Sequence, residues 1–163
     1  MKPCVPLLQI FDLSSSLKFY CDVLGFQIVQ RTDNDWWAML KHGDATLMLN
    51  TAYEDGQRPA SPDPARVRGH RDVSLYFEYA DLDALYSHLR AHGCQVTPPA
   101  VTSYGLRQMD ISDPDGYELC FTAPADLPFE TKLSQLRQDS ASQEPVVPLS
   151  WGVIQARNTR QLR

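Results

Sequence analysis

The residues best suited to chemistry cluster near the end of one short segment, Asp113-Pro114-Asp115-Gly116-Tyr117-Glu118-Leu119-Cys120-Phe121. Its first four residues read as a tight turn and the rest as a strand. If Leu119 and Phe121 enter a core, two-residue alternation sends Glu118, Cys120 and Thr122 to the opposite face. A carboxylate in a partly apolar cleft has a raised pKa and can serve as a general base, which makes Glu118 the candidate catalytic residue. A thiol can act as a nucleophile or a soft metal ligand. No histidine is placed beside Cys120 by the sequence, so a small buried thiol is the simpler reading.

Other side chains with chemical potential are scattered. His42 falls in a turn, His88 lies off the apolar stripe of a helix and His92 ends that helix, so all three read as solvated. His70 precedes a strand and is a candidate for a cleft rim. Cys4, Cys21, Cys94 and Cys120 form no CxxC pair, which points to reduced thiols in a cytoplasm and away from a structural zinc. Trp36 and Trp37 are adjacent, so a regular strand puts one indole on each face. Tyr104 and Arg107 open the strand before the turn and could stack on a ring and bind an anion.

The elements that must position these residues come in two similar runs. Leu7–Leu13 reads as a strand, with Ser14-Ser15-Ser16 as helix caps. Leu17, Tyr20, Cys21 and Leu24 follow at helical spacing, and Gly25 stops the helix. Strands then follow from Phe26, Trp36 and Ala45, the last two joined by a His42-Gly43-Asp44 turn. Residues 52–70, rich in Pro, Gly and charge, read as a linker or surface loop. The order then restarts. Asp72–Ala80 alternates as a strand, Leu82, Leu85 and Leu89 mark a helix, and Gln95, Leu106 and Tyr117 begin further strands. Asp12-Leu13 recurs as Asp81-Leu82 at a spacing of 69, and Gly25 as Gly93 at 68. Residues 125–163 lie outside this repeat as an unassigned C-terminal extension, with an expected helix over 127–138.

Alternation assigns faces. With Leu8, Ile10, Leu47 and Leu49 in a core, Val5, Leu7, Gln9, Thr46, Met48 and Asn50 lie opposite. With Val73, Leu75, Phe77 and Tyr79 under the second helix, Asp72, Ser74, Tyr76 and Glu78 lie opposite. Glu78, near its strand's end, reads as solvated.

At 163 residues, 43% hydrophobic and 21% charged, the chain reads as globular. No apolar run approaches the roughly 20 residues of a membrane helix, and the start does not read as a signal peptide. Residues 1–124 carry 10 Lys and Arg against 16 Asp and Glu. Such a domain is a poor partner for nucleic acid, and it suits a neutral or cationic small ligand.

Phe11-Asp12-Leu13, Leu17-Lys18-Phe19-Tyr20, Val23-Leu24-Gly25-Phe26, Gly43-Asp44 with Leu47-Met48-Leu49, Tyr79-Ala80-Asp81-Leu82 and Asp113-Pro114-Asp115-Gly116 together resemble the vicinal oxygen chelate superfamily of glyoxalase I, bleomycin-resistance proteins and extradiol dioxygenases. The resemblance covers roughly residues 5–124. It implies an α+β fold of two βαβββ modules (5–51 and 71–124, joined by the 52–70 linker) whose curved mixed sheets surround a cleft, and it implies a homodimer. In the family's metalloenzymes, His, Glu or Gln ligands stand at positions that are here Val5, Ser74, Cys120 and Met48 or Asn50. Val5 offers no donor, and a Cys120–Met48 pair is soft and incomplete for magnesium, manganese or ferrous iron.

Three functions are thereby expected. The first is a metal-free, cofactor-free module of the bleomycin-resistance type, serving resistance or sequestration. It would bind a small organic ligand through Gln9, Trp36, Trp37, Met48, Asn50, Ser74, Tyr76, Tyr104, Arg107 and Cys120. The second is a lyase, isomerase or dioxygenase that uses a divalent metal on a different ligand set, or Glu118 as acid/base. The third is an interaction role for the C-terminal extension.

Overall fold

Asp12 closes the first strand and starts the first helix. Its backbone is extended, and its carboxylate accepts from the Ser15 amide at 2.8 Å. The serine run is therefore inside the helix, and the cap lies two positions before its first serine. A computed structural model describes residues 4–53 and 56–125. Its elements are β1 (Leu7–Ile10), α1 (Leu13–Leu17) running into a π-helical stretch (Lys18–Val23), β2 (Gln27–Arg31), β3 (Trp37–His42), β4 (Ala45–Thr51), α2 (Pro64–His70), β5 (Ser74–Glu78), α3 (Leu82–Ala91), β6 (Ala100–Val101), β7 (Leu106–Ser112) and β8 (Glu118–Pro124). The C-terminal extension, with its expected helix over 127–138, lies outside the described residues.

The two halves build the same sheet twice. Strand order is β1-β4-β3-β2 in one and β5-β8-β7-β6 in the other. In each, the first strand pairs parallel with the fourth, while the remaining pairs are antiparallel. These are the α+β mixed sheets expected of two βαβββ modules. Leu8, Ile10, Ala38, Leu40, Leu47 and Leu49 from the first sheet, with Met109, Ile111, Leu119 and Phe121 from the second, enter one buried cluster together with Leu82, Leu85 and Leu89 of α3. The apolar side of each alternating strand is thus the buried one. Val73 is the exception: it lies outside β5 and is 46% exposed.

The linker is not only a loop. Asp63 caps α2 by accepting from the Ala65 amide at 2.8 Å, and Pro64 occupies the first helical position, where its missing N–H costs nothing. The expected strand at Gln95–Thr97 reduces to a single bridge between Val96 and Ile111, because Pro98-Pro99 follows at once.

The Asp113–Gly116 turn joins the modules. Asp115 accepts from the Phe11 amide (2.6 Å) and the Ser16 hydroxyl (3.1 Å), and Asp113 accepts from the Tyr20 hydroxyl (2.9 Å). The Tyr117 hydroxyl accepts from the Gln9 amide at 3.1 Å and lies 3.4 Å from the Gln9 carbonyl. Asp113 and Asp115 are 5% and 4% exposed. Burial pushes Asp113 up to about 6, against the lowering effect of the Tyr20 bond, and burial also raises Asp115.

Candidate functional site on the open sheet faces

Among the described residues, each sheet leaves one face without a covering helix. On the first, the register lines up Leu7, Met48 and Met39 in one row, and Gln9, Asn50 and Trp37 in the next. The Asn50 amide donates to the Gln9 side-chain oxygen at 3.4 Å. Trp37 is thus the indole on the open face. Trp36 precedes β3 and lines a separate 270 Å³ hollow with Asp12, Tyr53 and Arg58, so it does not join this group.

On the second sheet the register aligns Ser74, Glu118 and Ser112, then Tyr76, Cys120 and Asp110, then Glu78, Thr122 and Gln108. A polar row crosses these strands. The Tyr104 hydroxyl donates to Gln108, and the Gln108 amide donates to Asp110 at 2.8 Å, while Cys120 stands between Tyr76 and Asp110 in the register. The Ser74 hydroxyl donates to Glu118 at 2.6 Å. Cys120 is only 1% exposed although it sits on the open face. Burial, then the bond to Asp110 and the Asp110 charge, push its thiol up to about 12. Such a thiol has little thiolate character at neutral pH, which argues against a nucleophile here. The neighbouring Cys120 is also the largest cause of a raised Tyr76 phenol.

Gln108 and Asp110 were not among the expected site residues. Their signal was available: in Leu106–Ser112 they alternate with Met109 and Ile111, which are buried at 0% and 4%. Arg107 has the parity of Met109 and so faces the helix side. There its guanidinium spans the Asp83 carboxylate of α3 at 2.9 and 2.8 Å and holds that carboxyl below its ordinary range. Arg107 is therefore not with the open-face group, contrary to expectation. His70 is not at a cleft rim either. Its ring stacks on Tyr117 at 4.2 Å and its Nδ1–H donates to the Asp115 carbonyl at 2.7 Å, which ties α2 to the module junction. His42 and His88 are exposed as expected; His88 also donates from Nε2 to the Val23 carbonyl at 2.8 Å, and His42 also packs edge-on against Phe26 and Tyr79. Glu118 lines a 320 Å³ pocket with Gln95, Thr97, Asp110 and Ser112.

The divalent metal implied by the family fold can be tested against the donor set. Val5 has no donor atom, the Ser74 hydroxyl is engaged by Glu118, burial and the Asp110 neighbour raise the Cys120 thiol, and Met48 adds only a thioether. Among the described residues, no three His, Cys, Asp or Glu side chains gather so as to hold an ion. These residues do not fit a hard divalent metal.

A profile of the Glyoxalase/Bleomycin resistance protein/Dioxygenase superfamily matches residues 4–121. The chain belongs to this superfamily. It is 27% identical over 128 residues to a bleomycin resistance protein of Geobacillus stearothermophilus, covering 74% of this chain and 96% of that protein. It is 30% identical over 128 residues to a lactoylglutathione lyase of Haemophilus influenzae, covering 71% of this chain and 87% of the lyase. The fold superimposes on a bleomycin resistance determinant encoded on the transposon Tn5 with a TM-score of 0.59 and 25% identity, over 78% of this chain and all of that one. Among the described residues, no helix is long and apolar enough to cross a membrane.

Proposed function

We propose that this superfamily member binds a small organic ligand on the open faces of its two sheets, without a metal or other cofactor, and withholds it from solution in a resistance or sequestration role. The observation that carries this reading is the occupied donor row. Where the family resemblance puts metal ligands, Cys120 is a buried thiol raised by burial and by its Asp110 neighbour, and the Ser74 hydroxyl is bonded to Glu118. The same surface offers what a ligand needs: Trp37, Tyr76 and Tyr104 as flat apolar contacts, and Gln9, Asn50, Gln108 and Asp110 as fixed polar ones. Carboxylates outnumber cations there, which favours a neutral or positively charged ligand. Leu7, Tyr76 and Tyr104 are 44%, 62% and 58% exposed, so the faces are open in one chain. A second copy of the chain, forming a cytoplasmic homodimer, would close them and bury that apolar area.

The test is a titration of tryptophan fluorescence with metal-free bleomycin and with a panel of aromatic cations, beside elemental analysis of protein purified without chelators. Saturable quenching that disappears in Trp37→Phe is expected, with no stoichiometric metal. Stoichiometric iron, zinc, manganese or nickel would overturn the proposal.

One observation favours a second reading. Glu118 lines a pocket and is oriented by the Ser74 hydroxyl, as a metal-free acid/base residue would be. A detected lyase or isomerase activity that is lost in Glu118→Gln, with ligand binding retained, would establish it.

A further inference from the structure

The repeat gives the molecule two pseudo-equivalent junctions. The β7–β8 turn of the second module meets β1 and α1 of the first, and the β3–β4 turn of the first meets β5 and the start of α3 in the second. The first junction is sealed. Asp113 and Asp115 fill it with buried, hydrogen-bonded carboxylates, and α2 covers it through Val67 and His70. Among the described residues, the second junction has no such plug. In place of Asp113-Pro114-Asp115-Gly116 it has the short His42-Gly43-Asp44 turn, whose Asp44 is exposed.

A groove of about 650 Å³ remains there, within the size range of small-molecule sites. Buried Phe26 and Phe121 line it, with Phe77, Tyr79 and His42 as further walls. These rings already hold one another in place. Phe77 stacks on Phe121 at 5.5 Å, while Phe26–Phe77, Tyr79–Phe121 and Phe26–His42 meet edge-on at 6.2, 6.2 and 5.5 Å. Asp44 and Glu78 also line it, both exposed, and neither has an ion-pair partner among the described residues. Asp81 adds a third carboxylate, which also caps α3 through the Ala84 amide. Aromatic faces and unneutralised carboxylates at one opening together attract a positive charge on an apolar body.

We propose that this inter-module groove is a second ligand site, for a small organic cation of the alkyl- or arylammonium class. It borders the second sheet's open face at Tyr76 and Glu78, extends between the modules beyond that face, and is lined by no tryptophan among the described residues. The cationic head lies between Asp44 and Glu78, and the apolar body lies over Phe26, Tyr79 and Phe121.

Backbone amide NMR of the full chain, titrated with benzyltrimethylammonium and in parallel with neutral benzyl alcohol, tests this. Saturable shifts at Gly43, Asp44, Ala45, Tyr79 and Ala80 are expected with the cation, and markedly weaker ones with the alcohol. The double variant Asp44→Asn/Glu78→Gln changes two exposed side chains and is expected to fold. It should weaken cation binding about fivefold, the product of two exposed charge contacts. Equal affinity for cation and alcohol, unchanged affinity in the double variant, or shifts confined to Gln9, Met48 and Cys120 would each overturn the proposal. The part of the fluorescence response lost in Trp37→Phe reads the open faces, so failure at the groove and failure of the sheet-face reading are distinguishable.

Discussion

Gly116 offers the sharpest test of how the modules are joined. Its φ is +91°, and a Cβ placed there would overlap the carbonyl oxygen of Val67 and lie 2.9 Å from Val67 Cγ1. Gly105 is the internal control, with a φ of +79° and nothing within 4 Å of a built Cβ. Gly105→Ala therefore meets only the left-handed strain of an L residue, about 1–2 kcal/mol, less about 0.5 kcal/mol from a stiffer unfolded chain. Gly116→Ala meets the same strain and also forces α2 outward. That loosens the His70–Tyr117 stack and the His70–Asp115 bond, adding an overpacking cost of about 1–3 kcal/mol. The expected difference between the two variants is about 2 kcal/mol, or roughly 5 °C in Tm for a chain of this size. Urea denaturation followed by circular dichroism, with m-values compared, measures it. Val67→Ala removes the Cγ1 contact but leaves the carbonyl in place, so it should rescue little. Equal midpoints for the two glycine variants would show that α2 does not rest on this turn, and the sealed-junction argument would fail with it.

Other consequences are as direct. Asp113 is raised to about 6 in the folded protein, so the native state binds its proton more tightly than the unfolded chain does. This group's contribution to stability must therefore rise as pH falls from 7 through 6 toward 4, by up to about 3 kcal/mol, and Asp113→Asn should flatten that segment of the stability–pH curve. In Tyr20→Phe the buried Asp113 carboxylate loses its hydroxyl donor, at a cost of about 1.5–3 kcal/mol in chemical denaturation at neutral pH. Cys120, buried and pushed to about 12, should react with a disulfide reagent at pH 8 about a thousandfold more slowly than an ordinary thiol. Exposed Cys4 should react first, as mass spectrometry of the modified native protein would show. Arg107→Ala should leave small-ligand binding on the open faces unchanged, because its guanidinium is on the helix side with Asp83; a weakened ligand in the fluorescence titration would contradict that placement.

Much of the architecture is legible along the chain because its determinants are local. A two-residue period fixes which side of a strand is apolar, so Leu8, Ile10, Leu47, Leu49, Leu119 and Phe121 declared the core faces, and Glu118, Cys120, Ser74, Tyr76, Met48 and Asn50 the open ones. Asp63-Pro64 carried a helix signal as well, hidden within a stretch whose proline and charge read as loop. Parity could have placed Gln108 and Asp110 in the site and Arg107 outside it.

Relations between distant residues could not be read in this way. That Asp115 reaches Phe11 and Ser16, that Asp113 reaches Tyr20, and that His70 lies flat on Tyr117 depend on how one module docks on the other. No sequence period encodes a contact 104 residues apart. The raised Cys120 thiol is of the same kind: it follows from the burial and the Asp110 neighbour that the assembled sheet imposes. By itself the sequence determined the elements, their faces and the superfamily, because backbone sterics and apolar alternation act over a few residues. Tertiary structure alone decided which junction is sealed and which is open, because that depends on shape complementarity between two surfaces that meet only after folding.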